Sequence, residues 1–183
     1  MQLSHFRTPL FAALLATLPA GAFAVGSDDS NPPTQTQTTT VCPKGQVWSD
    51  KLKACALPDD SRLDNDTRFR AVRELAWMGR PEEALAVLAT MTEGETDRVL
   101  TYRGFALRKA GNLEAGLAAY DAALTQNPNN LLARSYYGQA LVEMNEMQLA
   151  SLQLEEIRAR GGAGTWAEQA LAQAIATGLT YSF

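Results

Sequence analysis

Histidine is almost missing from this chain. The only one, His5, lies in the leading residues, and the remainder carries no imidazole. That removes the commonest general base and metal ligand, and with it any Ser–His or Cys–His nucleophile pair. Cysteine is scarce too, with only Cys42 and Cys55, and no zinc-type spacing, P-loop or dinucleotide glycine fingerprint occurs. The acidic doublets Glu82-Glu83 and Glu155-Glu156 fall on predicted helices. Neighbouring helical residues point about 100° apart, so these carboxylates do not converge on one substrate atom. The chain therefore reads as a non-enzyme with no cofactor and no metal. Basic residues do not dominate either, with 16 Lys and Arg against 20 Asp and Glu. That balance argues against the nucleic-acid backbone as a partner.

What is present begins with an export pattern. Residues 1–7 are weakly basic, residues 9–20 are apolar apart from Thr17, and Ala22 and Ala24 flank Phe23 as small residues at a cleavage site. Residues 1–24 read as a signal peptide cut near Ala24, too short for a stable bilayer-spanning helix; an uncleaved anchor is the competing reading. Removal takes His5 and Arg7 and leaves 15 basic against 20 acidic side chains, a net charge near −5. The product is expected to be periplasmic or secreted, without stable membrane insertion. An even pair of cysteines in an exported chain reads as a Cys42–Cys55 disulfide. The long spacer argues against a redox-active pair.

Residues 25–40 contain almost nothing apolar and large, and are expected to be a disordered linker. Residues 41–57 form the cysteine-bounded hairpin module, and 58–61 a hinge. From about Leu63 the apolar spacing turns helical. Helices are predicted over 66–78, from Pro81 past Leu88, and over 97–110, 113–126, 131–144 and 147–160. Thr165-Trp166-Ala167-Glu168 is a capping box that opens a last helix, ending near Thr177. Four residue series share one pair of intervals, 32 and 34: Gly79, Gly111, Asn145; Ala84, Gly116, Ala150; Leu88, Tyr120, Leu154; and Val72, Gly104, Gly138.

That pattern resembles the tetratricopeptide repeat (TPR), a helix–turn–helix unit of about 34 residues. The middle unit, 97–130, matches best through Gly104, Leu107, Gly116, Tyr120 and Pro128. The third has Gly162 at the proline step, and the first has Val72 where a small residue is usual. The resemblance implies an all-α fold over 62–178: a superhelical stack of about three repeats plus a C-terminal capping helix, preceded by the disulfide hairpin. An unrelated all-α bundle is the alternative. In that family the first helix of each unit lines a concave groove that grips a partner segment. By register the lining residues here are Phe69, Arg73, Trp77, Arg98, Tyr102, Phe105, Arg108, Lys109, Tyr136, Gln139 and Glu143. A basic and aromatic face on an acidic protein suits an acidic peptide. The competing reading makes the charges a wet helix face and Tyr102 and Phe105 packing residues. The family's carboxylate-clamp asparagines are replaced by Arg73, Phe105 and Gln139, so that specificity does not carry over.

The resemblance implies a non-enzymatic protein–protein scaffold of the bacterial cell envelope. A second reading comes from CPKGQVWSDKLKAC, residues 42–55, which resembles half of a small chitin-binding-type module. There Trp48 is the candidate for stacking on a sugar of a cell-envelope glycan. Partner identity and oligomeric state are left open by the sequence.

Overall fold

In the computed structural model of the chain, residues 31–181 are described. The expected signal peptide, residues 1–24, lies outside the described residues. Among those described are eight helices and one two-stranded sheet. In chain order they are α1 (Gln37–Thr40), β1 (Val47–Ser49), β2 (Ala54–Ala56), α2 (Asn65–Trp77), α3 (Pro81–Leu88), α4 (Asp97–Lys109), α5 (Leu113–Gln126), α6 (Leu131–Glu143), α7 (Met147–Ala159) and α8 (Trp166–Thr177). The fold is thus mostly helical, with a small antiparallel hairpin rather than helix alone. No described helix is long and apolar enough to cross a membrane.

Local chemistry explains the helix starts. Asp64 accepts from the Thr67 amide at 2.7 Å, Asn130 from Ala133 at 2.8 Å, and Thr165 from Glu168 at 3.4 Å. Each side chain satisfies one of the amides a helix leaves unpaired at its start. Pro81 opens α3, where no intrahelical N–H is required. Within each pair the turn passes through a positive φ, at Gly79, Gly111 and Asn145. The third is a residue that tolerates this backbone better than most.

The helices pair in order, α2 with α3, α4 with α5 and α6 with α7, and each pair packs on the next. The middle pair approaches most closely at two glycines. A Cβ on Gly104 would lie 2.6 Å from the Tyr120 ring, and one on Gly116 would lie 3.0 Å from the Gly104 carbonyl. Tyr120 is fully buried there. The third pair differs. A Cβ on Gly138 would meet the Leu171 side chain at 2.6 Å, so this small position admits α8. Helix α8 packs on both α6 and α7 and buries Ala167, Ala170, Leu171 and Ala174.

The hairpin is closed by the Cys42–Cys55 disulfide. Strand β1 packs on α2, where Val47 joins the main core with Phe69, Val72 and Leu75. One expectation on this side is corrected. The linker expected over 25–40 is ordered where it is described near its end: Gln37–Thr40 form α1, capped by Thr36. Its order comes from a distant buried carboxylate, Glu74, which accepts from the Thr36 amide at 2.8 Å and the Thr39 amide at 3.1 Å, and from both threonine hydroxyls. The 58–61 hinge is gripped by the buried Arg68 fork, which donates to the carbonyls of Pro58, Asp60 and Leu63 at 2.7, 3.0 and 2.8 Å.

Candidate functional site

The first helices of the pairs, α2, α4 and α6, lie in one row. Their shared face carries all eleven residues expected to line a groove. The expectation that these side chains stand open to a partner is corrected for eight of them. Phe69, Arg73, Trp77, Tyr102, Phe105, Arg108, Tyr136 and Gln139 are all buried. Arg98 and Lys109 are half-buried, and Glu143 is exposed.

The burial has a specific cause, because aromatic rings fill the face. Phe69 meets Tyr102 edge-on at 5.3 Å, Phe105 lies 4.5 Å from Tyr136, and Trp77 stacks on Phe105 at 5.9 Å. Trp77 Nε1 donates to the Tyr136 hydroxyl at 3.0 Å, and Arg73 Nε donates to the Tyr102 hydroxyl at 3.2 Å. Burial pushes the Tyr136 phenol well above its ordinary value, and neighbouring Tyr102 adds to the effect. Repeat register assigned these residues to one face. It could not tell a face covered by the chain itself from one left open.

Charged groups rim this aromatic floor. Arg98 lies 4.8 Å over the Phe69 ring and pairs with Glu93 and with Asp66, the latter at 3.0 Å. Those carboxylates, Glu93 foremost, hold its guanidinium firmly protonated. Arg73 NH2 donates to the Asn31 carbonyl at 2.6 Å. Arg108 has only 1% of its side chain exposed and bonds Glu143 Oε1 at 3.1 Å through NH1. Its Nε and NH2, and the nearby buried Tyr120 hydroxyl, make no well-formed hydrogen bond among the described residues, while the guanidinium lies 5.4 Å over the Phe105 ring. Burial, then the adjacent Arg108 cation, push the Lys109 ammonium down to about 8.

The cover at the far end of the row was not foreseen. Beyond α8 the chain continues as residues 178–181 and lies back against α4 and α6. Lys109 Nζ donates to the Tyr181 carbonyl, the Tyr181 amide donates to Gln139 Oε1 at 3.4 Å, and the Thr180 hydroxyl donates to Glu143. The Tyr181 ring sits 5.8 Å from Trp77 and 5.5 Å from Trp166, which are themselves 5.4 Å apart. Trp166 and Tyr181 are thus part of the site, and sequence reasoning missed both. The available signal was two large aromatics flanking a helix whose inward positions are otherwise mostly alanine.

The glycan candidate, Trp48, is half-buried on β1, and its Nε1 donates to Asp50 at 3.0 Å. Beside it a cleft of about 220 Å³ opens between the hairpin and α2, lined among others by Gln37, Thr67, Arg70 and Glu74. Among the described residues no cluster of His, Cys, Asp and Glu is arranged to hold a metal ion. Comparison of the chain with known protein families, curated proteins and solved structures finds no match.

Proposed function

We propose that this chain is a non-enzymatic, TPR-like scaffold of the bacterial cell envelope, which binds an extended segment of a partner protein across α2, α4 and α6. One observation carries the reading. Side chains on two successive first helices, Lys109 and Gln139, take hold of the carbonyl and the amide of a single residue of extended chain, Tyr181. Gripping backbone in this way is how grooves hold peptides of varied sequence, with side-chain pockets adding selectivity. The Cys42–Cys55 disulfide suits an oxidising compartment outside the cytoplasm.

The test is capture of partners from envelope extract by the wild-type chain and by Lys109→Glu, a half-buried position that tolerates charge reversal better than the buried arginines. Partners retained by the wild type and lost by the variant support the scaffold. An identical set from both removes the groove from the account.

A second reading, a cell-envelope glycan binder, is favoured by the cleft beside Trp48, which offers a ring among hydroxyl, amide and charged groups. Sedimentation with insoluble peptidoglycan or chitin, with and without Trp48→Ala, decides it. No retention of either form dismisses the reading.

A further inference from the structure

We infer that residues 178–181 act as a displaceable self-ligand, holding the site for an extended peptide that presents an aromatic side chain. The inference rests on the scaffold reading and deepens it by naming the ligand's chemistry and the state that blocks it.

The segment is a docked extended chain, not a continuation of the fold. Helix α8 ends at Gly178, where φ reaches 71° and the amide caps Ala174 at 2.8 Å. The direction changes there and no helix or strand follows in the described residues. Leu179 is 75% exposed, so it contributes little to holding the segment. The grip falls on Thr180 and Tyr181. Two of its contacts, from Lys109 and to Gln139, involve only the Tyr181 backbone, so any residue but proline could supply both. Selectivity comes from the ring, seated against Trp77 and Trp166, an arrangement that rewards a flat aromatic group.

Several contacts of the segment are loose. Thr180 and Tyr181 remain half-buried, the Gln139 bond is long at 3.4 Å, and the Tyr181 hydroxyl reaches Gln173 only at 3.5 Å. Because the segment is tethered, it competes at a high effective concentration. A peptide in solution therefore meets a site that is open only part of the time, and its apparent affinity falls by that fraction.

The experiment titrates a synthetic peptide of residues 178–183 into the full chain and into full-chain Tyr181→Ala, by calorimetry. Circular dichroism confirms that both are folded, and Thr180→Ala takes the place of Tyr181→Ala should that variant misfold. The peptide is expected to bind the variant at least ~10-fold more tightly than the wild type. It is expected to lose that binding when its own tyrosine becomes alanine, or when Lys109→Ala is added to the variant. Equal affinity for both chains, or binding to neither, overturns the self-ligand. Either result leaves the scaffold to its own test with envelope extract, whose failure would in turn leave peptide exchange at this site intact.

Discussion

The helix row is covered by the chain itself in two places, at its α2 edge and across its face, and they are covered differently. At the α2 edge, residues 36–40 rest on Glu74, a carboxylate only 2% exposed that accepts from two amides and two hydroxyls. The disulfide hairpin backs them up. Across the face, the described contacts of residues 178–181 include two backbone bonds of Tyr181, the Thr180 hydroxyl and the Tyr181 ring against Trp77 and Trp166. A buried carboxylate that loses its donors is costly, so the first cover behaves as structure. The second is itself at most half-buried and continues no helix or strand, which is what a replaceable cover requires.

The largest effect is expected where the aromatic floor beneath residues 178–181 is removed. Tyr136 is 1% exposed and touches Phe105, Tyr102 and Trp166. Tyr136→Ala is expected to cost about 3–5 kcal/mol in chemical denaturation, the range for emptying a large aromatic from a core. The same floor sets an alkaline limit. Burial holds the Tyr120 and Tyr136 phenols above their ordinary value, while unfolded tyrosines ionise near pH ~10. Above that pH the unfolded chain has lost protons that the native one keeps, so stability is complete below it and falls as pH rises. Phenolate absorbance from these two residues should therefore appear together with the loss of helical circular dichroism, not before it.

The α2 edge is next. Replacing Cys42 and Cys55 by serine should lower stability by about 3 kcal/mol, from the loop entropy returned to the unfolded chain. Glu74→Gln should cost about 1.5–3 kcal/mol, because charge-assisted acceptance from four donors is weakened. Hydrogen exchange localises the second effect. Protection should fall across residues 36–40 and stay unchanged across 178–181, and a change at both places would mean the covers are coupled.

The sequence made the helices and the order of their turns legible because both follow local rules. The predicted helix over 113–126 coincides with α5, and Thr165 caps the start of α8 as expected, although the Glu168 carboxylate pairs with Arg158 and the Thr165 amide bonds the Gly162 carbonyl, so the reciprocal half of the capping box does not form. Gly111 and Asn145, picked out by their shared intervals, do take the positive φ of a turn. The covers were illegible because each depends on non-local partners. Nothing near Thr36 announces Glu74, 38 residues away, and nothing near Tyr181 announces Gln139, 42 residues back. Residues such as Tyr102 and Phe105 were legible as a face, but which neighbour would bury that face was not.

The smallest effect on stability sharpens the comparison most. Tyr181→Ala removes ring contacts with Trp77 and Trp166, and such pairs contribute about 1 kcal/mol. The midpoint of unfolding should hardly move, because the core beneath remains packed. Trp166 is half-buried and loses a neighbour on its outer side, so tryptophan emission should shift to the red in the native state. Exchange protection should vanish at 180–181 and persist at 36–40. A large loss of global stability would place Tyr181 among the residues that build the fold, and the cover across the face would then be as permanent as the one at the α2 edge.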